Sequence, residues 1–281
     1  MNQTYRIIID SAGEIPQDLK DDDRFVSVPL TLDIGGEYIV DAGHVSQADL
    51  VRRIAAASEC PKSACPSPGL YLDAFEETEA DRIYVITISA ALSGSYQSAN
   101  AARQMYEEEH EDVKIHIFNS RTTSVGETLI LLRIKEMEEE GYAFEEIISE
   151  IEAYISRQQT YFVLDDLETL HKNGRLTGLK YLAVSVLNIK LICGSTPEGE
   201  IQQMAISRGM RQALSRMAEM AAQAIKSGTN RIGISYCNCL KRAESLKALL
   251  APKLPGVEIL LHEAGGLSSM YANDGGVILV V

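Results

Sequence analysis

The stretch Ile83-Tyr84-Val85-Ile86-Thr87-Ile88-Ser89-Ala90-Ala91-Leu92-Ser93-Gly94-Ser95-Tyr96-Gln97-Ser98-Ala99 decides how this chain is read. Its first five residues form an apolar run of strand length, rich in β-branched and aromatic side chains. Such a run predicts a strand buried on both faces. From residue 99 to 109 the chain reads as a helix. The Ser/Gly-rich turn between them aims hydroxyls and free backbone N–H groups at one spot, which suits an anion. A turn of this kind also suits a plain helix cap, so residue chemistry leaves Ser93 with two roles.

Outward from that turn, strand-like and helix-like stretches alternate. Upstream, Tyr5–Asp10 and 25–32 read as strands, and Gly35-Gly36 turns the chain into a further strand at Glu37–Val40. A helix is expected over 46–57 with Ser46 as its cap, and Pro61, Pro66 and Pro68 mark 60–68 as a loop. Downstream come a strand at 113–118 and helices near 96–109, 124–140 and 144–157. The pattern then restarts, with strands at 161–164, 190–193, 200–206, 231–236, 257–261 and 277–281. Helices are expected over 165–187, broken at Asn173-Gly174, and over 210–226 and 239–250. The alternation predicts an α/β chain of two α/β domains, 1–158 and 159–281, with a mostly parallel sheet in the first.

Composition narrows the class. The 281 residues are 46% hydrophobic, enough for a substantial core. The formal net charge of -14 repels phosphate backbones and anionic lipid surfaces, so no nucleic acid partner is expected. No stretch approaches the roughly 20 apolar residues of a membrane span, and no secretory segment is evident, so a soluble cytoplasmic protein is expected. Five cysteines and five histidines show neither paired nor zinc-type spacing, so no metal and no cofactor is expected. Phosphate-loop, dinucleotide, His-Glu-x-x-His and Gly-x-Ser-x-Gly motifs are also absent.

Five segments, in order, carry a specific likeness. They are Asp10-Ser11; Ser63-Ala64-Cys65-Pro66-Ser67-Pro68; the serine turn itself; Asn119-Ser120-Arg121-Thr122-Thr123-Ser124-Val125-Gly126; and Asp165-Asp166-Leu167 with Asn173-Gly174-Arg175. Together they resemble the DegV family of bacterial fatty-acid-binding proteins through nearly the whole chain. The resemblance implies a ligand tunnel near the domain interface and a fatty acid carboxylate held by Ser93 and Ser63, where the family usually has Thr. It further implies presentation of that carboxylate to a separate ATP-dependent fatty acid kinase, related to the dihydroxyacetone kinases, which makes an acyl-phosphate for phospholipid synthesis. The chain would then be a lipid-binding subunit and not an enzyme alone.

Ser95 and Gly94 share the turn, as ligand contacts or as local supports. The family often has a His near the C-terminus that contributes to the carboxylate site. Here Tyr271 stands at that position, or Met270 if the register is one residue earlier, and a Tyr phenol can donate in its place. His262 reads as a strand-end residue. Asp10 and Ser11 end the first strand, where open sheets place ligands, and serve either there or as caps. Asp165 and Asp166 are adjacent and so do not share a helix face, which favours capping over acid/base work. Arg175 and Arg208 pair internally or form a docking rim. Apolar residues of 25–32, 83–88 and 161–164 are tunnel-wall candidates. Two alternatives stay open: a serine-dependent enzyme on a small acyl or phosphorylated substrate, and a lipid sensor or carrier without a kinase.

Overall fold

The computed structural model describes residues 4–43, 46–77, 79–110, 112–176, 188–225 and 228–281. Four strands, β1 (Tyr5–Asp10), β2 (Phe25–Val28), β6 (Arg82–Thr87) and β7 (Lys114–Asn119), form an all-parallel sheet in the order β2-β1-β6-β7. Period-two alternation assigns each residue of β1 to a layer. Ile7 and Ile9 pack with Tyr84, Ile86 and Phe118 against α4 (Val125–Glu140) and α5 (Phe144–Arg157). Ile8 packs with Ile83 and Val85 against α2 (Pro68–Glu76) and α3 (Ser95–Glu107) on the other face. Both faces are therefore covered, as the continuous apolar run at 83–87 predicts.

The second large sheet uses β8 (Thr160–Val163), β9 (Ile189–Ser195), β10 (Ile201–Arg208), β11 (Arg231–Tyr236), β12 (Glu258–Glu263) and β13 (Val277–Val280). Its order is β10-β9-β8-β13-β11-β12, and only the β11/β12 pair is parallel. Helices α7 (Met210–Ala224) and α8 (Leu240–Leu250) bury one face through Val163, Ile192, Ile232 and Leu279. The other face presents Phe162, Cys193 and Ile278 to Val125 and Leu129 of α4. The fourth helix thus lies between the two sheets. Every residue from Val125 to Leu131 is buried, the signature of a helix enclosed on all sides.

A third, antiparallel sheet, β4-β3-β5, is formed by β3 (Thr31–Ile34), β4 (Glu37–Val40) and β5 (Lys62–Ala64). It packs through Leu32, Ile34 and Ile39 on α1 (Gln47–Ala56) and α9 (Gly266–Ala272). The remaining short helix, α6 (Glu168–Lys172), follows β8.

Three expectations need correction. The span 25–32 is not one strand: Val28 pairs with Asp10, Pro29 has no N–H to continue the ladder, and the chain enters another sheet at Thr31. The span 60–68 is not all loop, since β5 pairs with β3, and Pro68 opens α2 at a position where its missing N–H costs nothing. The helix α9 was not expected at all. Of the helix expected over 165–187 with a break at Asn173-Gly174, Glu168–Lys172 is helical and stops at that break; residues 177–187 lie outside the described residues, as does residue 226 of the helix over 210–226.

Glu127 sits in the enclosed part of α4 with no exposed surface, and no cation pairs with it among the described residues. Burial, then the nearby Asp10 and Glu14 charges, hold its carboxyl well above the usual range. A carboxyl that keeps its proton when folded contributes stability below its unfolded pKa and loses it as pH rises. Glu127→Gln, which needs no proton, should therefore gain in unfolding free energy relative to wild type as pH rises from 4 to 8. Urea denaturation at several pH values measures this, and a variant that loses ground with rising pH would contradict it.

Candidate functional site

The serine turn is built on Asp10. Its Oδ2 accepts from Ile88 N–H at 3.0 Å, where β6 ends, and its Oδ1 accepts from Ala12 N–H at 3.1 Å. The turn closes on itself, with the N–H groups of Leu92 and Ser93 both donating to the Ser89 carbonyl. Ser93 Oγ accepts from Ser95 N–H at 3.3 Å and lies 3.0 Å from Ser95 Oγ. Ser93 is half-buried and faces a cavity, whereas Ser95, the first residue of α3, is fully buried beneath it.

Ser63, in the middle of β5, and Tyr271, on α9, meet across that cavity. Their hydroxyl oxygens are 3.1 Å apart. Two carboxylates fix the start of α9: Glu14 accepts from Gly265 N–H at 2.9 Å, and Asp41 accepts from Leu267 N–H at 2.8 Å. Negative charge there also complements the helix dipole. Ser11 donates to Asp41 at 3.0 Å and accepts from Leu30 N–H, tying the end of β1 to the same helix. Gln47 adds a cross-brace, donating to the Ala264 carbonyl and accepting from Asn238 N–H.

The cavity has a volume of about 330 Å³, within the ordinary range for small-molecule pockets. Each of the three segments expected to supply walls contributes: Leu30 from the first, Ile88 from the second, and Phe162 and Leu164 from the third. Its polar positions include Ser93, Ser63 and Tyr271. Gly94 lines it beside Cys65, whose Sγ would lie 3.0 Å from a Cβ at residue 94. Arg175 also lines it and donates to the carbonyls of Leu92 and Asn173.

Other candidates fall elsewhere. Met270 is fully buried in the core with Leu30 and Leu267 and does not line the cavity. Asp10 and Ser11 lie below it as supports of the turn and of α9. Arg208 is exposed at the end of β10, away from the cavity. Asp166 caps α6 by accepting from Glu168 N–H at 2.8 Å, whereas Asp165 pairs with Lys190 and Arg242.

Several site residues were not anticipated. Arg121 lines the cavity, and Thr122 Oγ1 lies 2.7 Å from Thr160 Oγ1, joining the loop before α4 to β8. The β9–β10 hairpin closes one side, where Ser89 donates to the Gly199 carbonyl at 2.9 Å. The hairpin turns at Pro197-Glu198-Gly199, and nothing in that segment signals which loop it touches. Burial raises the carboxyls of Asp10, to about 6, and of Glu14 and Asp41. Among the described residues no cluster of metal-ligand type occurs, and no helix is long and apolar enough to cross a membrane.

Residues 4–281 match a family model described as an uncharacterised protein family, DegV. A DegV domain-containing protein of Streptococcus gordonii is 35% identical over 98% of both chains. A DegV family protein of Ruminococcus gnavus, solved with vaccenic acid, superposes with a TM-score of 0.94 at 44% identity over 99% of each chain. The Fatty Acid Kinase (Fak) B3 protein of Streptococcus pneumoniae, loaded with linoleic acid, superposes with a TM-score of 0.91. It is 32% identical, over 99% of this chain and 98% of that one.

Gly199 tests how the hairpin meets the turn. Its φ is +86°, and a Cβ there would stand 2.8 Å from Arg121 Cα. Gly199→Ala should cost about 2 kcal/mol or more, from backbone strain and the steric push against residues 89 and 121. Thermal unfolding of the variant measures this, and an unchanged melting temperature would contradict the close packing.

Proposed function

The chain belongs to the DegV family, and from that premise we propose that it binds a long-chain fatty acid and presents it to a separate kinase. The carboxylate sits between Ser93 and Ser63, with Tyr271 as a third hydroxyl donor and Ser95 and Gly94 shaping the turn. The acyl chain runs along an apolar tunnel between the domains 1–158 and 159–281. The kinase is ATP-dependent and of the dihydroxyacetone-kinase type, and Arg175, which lines the cavity, contributes to the rim where it docks. The chain itself is the cytoplasmic lipid-binding subunit.

One observation carries this reading: hydroxyls from three distant segments, residues 63, 93 and 271, line one cavity whose other walls include Leu30, Ile88, Phe162, Leu164 and Ile278. That is the polarity a fatty acid needs. Each buried CH₂ contributes roughly 0.8 kcal/mol, and each charge-assisted hydrogen bond to the head group about 1.5–3 kcal/mol. The solved relatives with vaccenic and linoleic acids support the ligand class, and the fatty acid kinase relative supports the partner. Among the described residues, the groups bonded to Ser93 Oγ are the hydroxyl and N–H of Ser95, which favours holding a ligand over nucleophilic attack.

Native mass spectrometry, followed by denaturation and organic extraction, tests the proposal. The expected result is a stoichiometric long-chain fatty acid on the wild-type protein. Retention should drop at least about tenfold in Ser93→Ala, corresponding to ~1.4 kcal/mol, with unchanged circular dichroism. An empty wild-type protein that also refuses added fatty acid would overturn it. Ester turnover abolished by Ser93→Ala would replace it with the enzyme reading.

A further inference from the structure

The cavity has a second polar end that the proposed carboxylate seat does not use. Along β8 and the residue after it, positions 160, 162 and 164 share one face by strand alternation, and all three line the cavity. Phe162 and Leu164 are apolar, whereas the third residue is Thr160. At the rise of a strand, Thr160 stands roughly 13 Å from Leu164. The Leu164 side leads into α6 and on to Asn173 and Arg175, which donate to the carbonyls of Pro61 and Leu92, next to Ser63 and Ser93. That side is the head-group end.

The Thr160 end is built from hydroxyls. Thr160 Oγ1 lies 2.7 Å from Thr122 Oγ1, and Thr160 N–H donates to Ser195 Oγ at 3.3 Å. All three residues line the cavity. Thr122 is 3% exposed and Thr160 6%, so this pair lies inside the wall and not at a wetted mouth. Its hydrogen bonds are incomplete. The two threonines carry two hydroxyl protons, and one fills the gap between them. The other reaches the Thr123 carbonyl at a long 3.5 Å, or, on Thr160, meets no acceptor among the described residues. Ser195 Oγ accepts from Thr160, and among the described residues its own proton has no acceptor. An unsubstituted acyl tail arriving here would strip these donors of water and offer no lone pair in return, which is costly. A tail that carries a hydroxyl brings two lone pairs and a proton of its own.

We propose that the cavity is built for a fatty acid bearing a hydroxyl in mid-chain or beyond, and that Thr122, Thr160 and Ser195 are the specificity-determining residues that recognise it. The carboxylate stays at Ser93 and Ser63, the chain passes Phe162 and Ile278, and the chain hydroxyl accepts from Ser195 or from the threonine pair. A wall that hydrogen-bonds a ligand hydroxyl discriminates against the analogue lacking it, which an apolar wall does not. This inference rests on the proposed seat of the carboxylate and adds to it the class of acyl chain.

Displacement of a fluorescent fatty acid, cis-parinaric acid, from the delipidated protein tests it. The competitors are octadecanoic acid and a series of monohydroxyoctadecanoic acids with the hydroxyl at successive carbons from mid-chain to the methyl end. In wild type one position should bind at least about tenfold tighter than octadecanoic acid, with the advantage falling off on either side of it. Thr122→Val combined with Thr160→Val removes both members of the pair at nearly constant shape and so leaves no orphaned partner. In that variant the advantage should shrink to within about threefold, and octadecanoic acid should bind at least as well as in wild type. Thr160→Ser keeps the hydroxyl and should keep the preference. Octadecanoic acid binding as tightly as every hydroxylated isomer in wild type would overturn the proposal, whatever the variants do. A preference that persists unchanged in the double valine variant would overturn it as well. Failure of the probe, octadecanoic acid and every isomer to bind would overturn the head-group reading itself.

Discussion

Three buried carboxylates hold the loops of this protein in register, and the site depends on them. Asp10 binds the N–H of Ile88 where the parallel sheet gives way to the serine turn. Glu14 binds Gly265 N–H and the Ser124 hydroxyl, and Asp41 binds Leu267 N–H and the Ser11 hydroxyl. Backbone donors in a buried loop must find acceptors, and here side chains near the end of β1 and just after β4 supply them. The desolvation cost is visible in the raised pKa of all three groups. What it secures is a fixed distance between α9, the serine turn and β1, which no single element could set.

The second constraint is the enclosure of α4. Its first two turns contact the parallel sheet on one side and the six-stranded sheet on the other, so the sheets are held a helix diameter apart. The space remaining beside the helix start, closed by the β9–β10 hairpin and the small sheet, is the cavity. Its walls thus come from loops that follow β6 and β7, from the small sheet and α9, and from β8, β9 and β13 of the six-stranded sheet. Its hydroxyls come from segments as far apart in sequence as residues 63 and 271, and a packed core would not otherwise bring such groups together.

Much of the fold was legible because it rests on local rules. The run at 83–87 and the helices at 96–109, 124–140 and 144–157 follow directly from apolar pattern and turn chemistry. What escaped were short elements decided by tertiary contact. The strand β5 has three residues and exists because β3 offers it a ladder. Helix α9 has seven residues and is held by carboxylates more than two hundred residues upstream. At the site, Ser93, Ser63 and Tyr271 were each visible, but the choice between Tyr271 and Met270 was not. Adjacent helix residues point about 100° apart, so one enters the core and the other the cavity, and that requires the helix to be placed first. The contact of Gly199 with the serine turn likewise belongs to the packing of two sheets, and no window of sequence contains it.

The most direct test of the account is a crystal structure of the protein grown with a saturating long-chain fatty acid. The account predicts carboxylate oxygens within about 2.5–3.2 Å of Ser93 Oγ and Ser63 Oγ, with the acyl chain running past Phe162 and Leu164. A carboxylate found at the opposite end of the cavity, or a chain lying outside it, would contradict the account.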